Sequence, residues 1–277
     1  MTDMVIALIF ILLAAAYFLA IHGRSGHGGL KNIRGWSYAH RGLHGEGRPE
    51  NSMAAFQAAL EGGYGIELDI HLLADGNLAV MHDSPLLRTT GAEGVIEDLT
   101  TAQLKNYRLE GTDETIPEFK QVLELFAGKA PLVVELKVHK NNYAALTEAA
   151  CNMLDSYNVT YCMESFDPRC LLWLKKNRPD IIRGQLTEDY FATKAKLPLP
   201  LKWILSENLG NFLTKPDFVA YRFRDRHSTL SNLFCLGHMT GVSWTIQNQA
   251  EFDAAVQEGW VPIFEGFCPD PTRRTNN

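Results

Sequence analysis

The chain has 277 residues, 46% hydrophobic and 21% charged, which is the balance of an ordinary globular protein and excludes a low-complexity or disordered chain. Its net charge of −6 leaves no electrostatic footprint for nucleic acid, which would need a basic patch or a high pI. Five cysteines (Cys151, Cys162, Cys170, Cys235 and Cys268), odd in number and without a CxxC pair, argue against a disulfide framework or a zinc site.

Residues 4–21 form an uninterrupted apolar run. At a rise of about 1.5 Å per residue it just crosses a hydrocarbon core of roughly 30 Å. A secretory signal is the competing reading, but no basic residue precedes the run and the run is long for one. Arg24, Lys31 and Arg34 follow it and only Asp3 precedes it, so the positive-inside tendency predicts a single-pass membrane helix with a cytoplasmic C-terminal domain. The Gly-rich residues 22–33 read as a flexible linker, residues 34–270 as one domain and residues 271–277 as a tail.

From residue 36 onward, short β-rich runs alternate with longer helical stretches, the pattern of an α/β protein with a parallel sheet. Strands are expected at 37–41, 65–71, 78–82, 132–137, 160–166, 181–186, 217–221, 242–246 and 261–266. Helices are expected at 52–61, 116–125, 143–157, 168–176 and 250–258, with Asn51 as a cap and Pro168 in a first turn. Nine strands are one too many for an eight-stranded barrel. Asp75-Gly76 resolves the excess, because it is a hairpin signal in a connection too short for a parallel crossover. The expected fold is therefore a (β/α)8 TIM-like barrel with one added antiparallel hairpin strand. Pairing about that turn sets His82 nearly opposite Asp69. Residues 197–213 are unusually apolar for a barrel loop and read as a covering helix, with dipping into a bilayer interface as the alternative.

Charged clusters stand at the ends of these strands: His40-Arg41-Gly42, Glu67-Leu68-Asp69, His82-Asp83 and Glu135-Leu136-Lys137. Residues two apart in a strand share a face, so Glu67 projects with Asp69 and Glu135 with Lys137. Charges inside otherwise apolar runs are costly to bury unless paired or bound to a metal. Three carboxylates converging at the C-terminal mouth of a barrel would suit a hard divalent cation, Ca²⁺ or Mg²⁺.

Taken in order, the HRG box at 40–42, the PEN box at 49–51, the E-x-D pair at 67–69, the Asp75-Gly76 turn, the His82-Asp83 box and the E-x-K strand at 135–137 resemble the glycerophosphodiester phosphodiesterase family. Ser165-Phe166 and Trp244-Thr245 resemble later family boxes. The resemblance implies a barrel that hydrolyses glycerophosphodiesters to glycerol 3-phosphate and an alcohol. It places Glu67, Asp69 and Glu135 on the metal ligands, His40 on the general base and His82 on the general acid. Arg41 and Lys137 fall on phosphate-contacting positions, and Trp244 is expected to wall the substrate pocket. The last strand departs from the family pattern, with Glu265 where an Asp near a Thr is usual. Two other activities compete: phospholipase D-like hydrolysis of lysophospholipids or membrane lipids, and non-catalytic binding of phosphorylated ligands at a membrane.

Overall fold

The structure is a computed structural model describing residues 2–24, 26–235 and 239–269, the side chains of 233–235 excepted. In chain order the elements are α1 (Thr2–Ile21), α2 (Lys31–Arg34), β1 (Tyr38–His40), α3 (Met53–Glu61), β2 (Gly65–Leu72) and β3 (Leu78–Val80). Then come α4 (Leu87–Thr90), α5 (Thr101–Leu104), α6 (Phe119–Phe126), β4 (Leu132–Leu136), α7 (Tyr143–Leu154), β5 (Tyr161–Ser165), α8 (Pro168–Asn177) and β6 (Arg183–Thr187). The chain closes with α9 (Leu199–Ser206), α10 (Asn211–Thr214), β7 (Phe218–Arg222), α11 (Leu230–Cys235), β8 (Thr240–Ile246), α12 (Gln249–Gln257) and β9 (Val261–Phe264).

Eight strands pair in parallel in the order β1-β9-β8-β7-β6-β5-β4-β2, and β1 pairs with β2 to close the barrel. The ninth strand, β3, is antiparallel to β2, as the Asp75-Gly76 turn predicts. Its place follows from strand length. β1 ends at His40, opposite Glu67, so the edge of β2 beyond that point is unpaired until β3 covers Ile70 to Leu72. The register differs from expectation by one residue. Ile70 pairs with Val80 and Met81 N–H donates to the Asp69 carbonyl, so Met81, not His82, stands opposite Asp69. The chain leaves the strand after Val80, and this freedom from the pleat lets the next ring reach the mouth.

Strand alternation separates two cores. Ile66, Leu68, Ile70, Val134 and Leu136 face the surrounding helices, while Tyr38, Val133, Cys162, Phe218, Val242 and Ile263 fill the barrel floor. Cys162 is a buried free thiol there. Residues 22–33 are not the loose tether expected. Leu30 and Ile33 are buried among the floor residues, and the Tyr38 hydroxyl donates to the Ile33 carbonyl at 2.9 Å. Arg24 forks both oxygens of buried Asp217 at 2.7 Å each. The glycines suggested flexibility, but the apolar side chains between them close the otherwise open floor.

Helix boundaries agree with expectation to within a few residues, with one change at α3. Ser52, not Asn51, is the N-cap, its hydroxyl accepting from Ala55 N–H at 3.1 Å. Asn51 has a left-handed backbone (φ 53°) and turns its side chain into the barrel mouth instead. At α8 the expectation holds: Pro168 occupies the first turn behind an Asp167 cap.

Candidate active site

The C-terminal ends of β1, β2, β4, β5 and β9 meet in one acidic mouth. Glu67, Asp69 and Glu135, all buried, present oxygens within 4.8 Å of one another. Lys137 reaches into this group, with Nζ 2.9 Å from Asp69 and 2.8 Å from Glu135. Asn51 Nδ2 donates to Asp69 Oδ2 at 2.8 Å. Arg41 enters from the turn after β1, where both it and Gly42 have positive φ (53° and 82°). A Cβ at Gly42 would lie 2.9 Å from Ala55, so that position requires glycine. The strained Arg41 backbone is held by its own N–H on Glu67 at 3.2 Å and by Asn51 N–H on its carbonyl at 2.9 Å. The Arg41 guanidinium bonds Glu50 at 3.0 Å and faces Asp69 at 3.4 Å.

Burial is the largest influence on these carboxyls, and positive charge is too scarce to offset it everywhere. Glu67 is pushed well up by burial and by neighbouring Asp69 and Glu135. Glu135 is raised to about 7, again by burial first, against the pull of Lys137. Asp69 resists burial and stays low because Lys137, His82 and Arg41 surround it. Glu164, on β5 beside Glu135, is also buried and raised by burial, and its Oε2 has no partner. Four acids converge on Lys137 and Arg41, and the mouth is short of positive charge. A divalent cation fits that deficit, and an all-oxygen donor set suits a hard one. Glu67, Asp69 and Glu135 are the residues that could hold it.

The two histidines flank the cluster and are oriented alike. His40 Nδ1 meets Glu265 Oε2 at 2.6 Å, leaving Nε2 directed towards Glu67 at 3.9 Å. His82 Nδ1 meets Asp83 Oδ1 at 2.6 Å. In each pair the carboxylate favours the tautomer with a proton on Nδ1, which leaves Nε2 as the working nitrogen. Hydrogen bonding from His40 keeps Glu265 down at about 2. Burial lowers His40, and it lowers His82 to about 4 despite the pull of Asp69. The side chains alone therefore leave both rings neutral, not in the opposite states that a base and an acid need.

A cavity of about 290 Å³ opens beside His82, lined by His71, His82, Ser84, Glu97, Lys137 and Phe166 among others. Trp244 stands edge-on to Phe166 with ring centroids 5.8 Å apart, one ring behind that cavity wall. A larger cleft of about 570 Å³ lies at the other end of the barrel by Lys31, Arg34 and Trp260. Among the described residues no carboxylate lines it, so size does not mark the chemistry.

All eight residues singled out from the sequence lie at this end of the barrel; Trp244 is the outlier, reaching the cavity only through Phe166. Sequence reasoning noted Glu265 only as a departure in the last strand, without a role, and missed Glu164 and Arg88. Arg88 bonds Glu50 at 2.6 Å and also holds Asp83, bracing both flanks. For Glu265 and Glu164 a signal existed, since each is a carboxylate at the end of an apolar strand. Arg88 lies in α4, after the hairpin strand β3, with no motif around it, and gave none.

Fold and site together define a TIM-like barrel with an acid-lined, two-histidine mouth. Residues 40–265 match the glycerophosphoryl diester phosphodiesterase family, and the chain belongs to it. A glycerophosphodiester phosphodiesterase of Bacillus altitudinis is 36% identical over 163 residues, 55% of this chain and 66% of that protein. The chain thus spans about two thirds of that curated relative. A lysophospholipase D of Rattus norvegicus is 38% identical over 116 residues, 37% of this chain and 36% of its own. Among solved structures, an Oleispira antarctica phosphodiesterase in complex with the product sn-glycerol-3-phosphate superposes with a TM-score of 0.70 at 21% identity. That likeness covers 87% of this chain and 97% of the other, and it is a likeness of fold.

Proposed function

We propose that the protein hydrolyses glycerophosphodiesters to glycerol 3-phosphate and an alcohol, with a divalent cation, Ca²⁺ or Mg²⁺, held by Glu67, Asp69 and Glu135. The observation that carries this reading is the convergence of two carboxylate-oriented imidazoles on one cation-deficient acidic cluster. The cation would supply Lewis-acid neutralisation of the nonbridging phosphate charge. Arg41 and Lys137 add positive charge on the same side. His40 Nε2 takes the proton of the attacking hydroxyl, whether water's or the substrate's own 2-hydroxyl, while Glu265 steadies the resulting imidazolium. Attack by water gives glycerol 3-phosphate directly; attack by the 2-hydroxyl gives a cyclic phosphate, which water must then open to glycerol 3-phosphate. His82 returns a proton to the leaving alkoxide as the P–O bond breaks. An anionic phosphodiester beside His82 raises its pKa towards the protonated state this role requires.

The test is release of glycerol 3-phosphate from glycerophosphocholine by the full chain, with and without chelator. Activity that chelator abolishes and added Ca²⁺ or Mg²⁺ restores is the expected result; chelator-resistant turnover would remove the metal role.

We also read α1 as a single-pass anchor with the barrel on the cytoplasmic side, on the strength of its apolar length and the basic residues after it. That reading favours one second substrate class, lysophospholipids, which the similarity to the rat lysophospholipase D also supports. Comparing lysophosphatidylcholine with glycerophosphocholine as substrates separates the two.

A further inference from the structure

We infer that the barrel flank formed by α9 and α10 sits in the lipid interface beside α1, so that the enzyme is held to the bilayer by a helix and a surface together. This rests on reading α1 as a membrane anchor and goes beyond it.

The first observation is a length. The end of α1 is not free of the barrel. The Tyr17 hydroxyl donates to Glu207 Oε2 at 2.6 Å, and Asn211 Nδ2 donates to the Ile21 carbonyl at 3.0 Å. Residues 4–16 are apolar and exposed without a break, about 20 Å of helix at the α-helical rise, and from Tyr17 onward one side of the helix is docked on the barrel. A hydrocarbon core is roughly 30 Å thick. The docked turn, residues 17–21, must therefore also lie at membrane depth, and it draws with it the surface it docks on.

The second observation is what that surface carries. Trp203, Ile204, Phe212 and Leu213 are 53%, 40%, 49% and 50% exposed, and each lies within about one helical turn of Glu207 or Asn211. Large apolar side chains grouped this way, with a Trp among them, suit the headgroup–acyl boundary. The third observation is charge. Residues 190–216 hold four lysines, Lys194, Lys196, Lys202 and Lys215, against the single acid Glu207, in a chain of net charge −6. Glu207 is already satisfied by Tyr17 and by Ser231 N–H at 3.0 Å. A locally basic, apolar flank on an acidic protein complements anionic lipid.

Site-directed spin labelling tests this on the full chain in phosphatidylcholine–phosphatidylglycerol vesicles, with Cys235 and Cys268 replaced by serine. Nitroxides are placed singly through Trp203→Cys, Leu213→Cys, Leu8→Cys in α1 and Lys105→Cys on a distant exposed turn. Collision with oxygen reports lipid, and collision with a water-soluble nickel chelate reports solvent. The expected result is that 203 and 213 resemble 8, being accessible to oxygen and shielded from nickel, while 105 is the reverse. If 203 and 213 resemble 105 while 8 lies in lipid, the flank inference falls and the anchor reading stands. If 8 is itself in water, the anchor reading falls and takes the inference with it. Shielding of 203 and 213 from both reagents would show a second copy of the chain covering the flank, which also overturns it.

Discussion

The two ends of the barrel solve opposite problems with the same strands. At the floor, Tyr38, Val133, Cys162 and Phe218 meet Leu30 and Ile33 from the preceding segment, and the packing is apolar. At the mouth, two to four residues further along, the same inward positions carry His40, Glu67, Asp69, Glu135, Lys137 and Glu164. The floor gains stability from burial. The mouth gives stability up, because each buried carboxyl there opposes its neighbours and is raised or held ionised only by a nearby base. Groups that fold at such a cost are the ones a function requires.

The comparison breaks most sharply at His82. His82→Ala should lower glycerol 3-phosphate release by about two to four orders of magnitude if it supplies acid–base catalysis. The thermal midpoint should hardly move, because the ring is about one-third exposed. Undiminished turnover would remove its role. At the floor the pattern should invert. Ile33→Ala should cost about 2–4 kcal/mol of unfolding free energy in denaturant titration, while turnover per folded molecule stays unchanged. A comparable loss of turnover would mean that floor and mouth are coupled.

The smallest effect separates charge from packing within the mouth. Burial pushes Glu97 up, but hydrogen bonds from His71 (2.7 Å) and Ser84 (2.7 Å) prevail and hold it at about 2. A carboxyl depressed in the folded state stabilises above its ordinary pKa of about 4.5, and that contribution is lost as pH falls towards about 2. Glu97→Gln should therefore lower the melting temperature near neutral pH, with the gap narrowing between about pH 5 and pH 2. A gap that is constant with pH would assign the effect to packing.

Much of this architecture was legible along the chain. Eight parallel strands and one hairpin strand fall within a few residues of their expected places, because apolar periodicity and the Asp75-Gly76 turn are local signals. The E-x-D and E-x-K pairs were legible for the same reason, since strand parity alone puts both members on one face. The errors are where a local signal competes with a distant partner. Asn51 looks like a helix cap, but Asp69 takes its side chain and Ser52 caps instead. His82 was placed by pairing the strands directly about Asp75-Gly76, whereas Leu73 N–H bonds the Asn77 carbonyl and Leu72 pairs with Leu78, which shifts the register by one residue. The glycines of residues 22–33 suggested a tether, although Leu30 and Ile33 had an open barrel floor to fill.

What the sequence by itself determined is the order and spacing of the strands and which charged residues share a face, because both depend on interactions a few residues long. Tertiary structure alone decided which carboxylate steadies which imidazole, since Glu265 and His40 lie at opposite ends of the barrel sequence and meet only when β1 and β9 close it. It also decided that α1 ends on the barrel and not on a flexible leash, through Tyr17 with Glu207 and Arg24 with Asp217. Contacts across some 190 residues leave no periodic trace in the chain, and only the closed ring brings them within hydrogen-bonding reach.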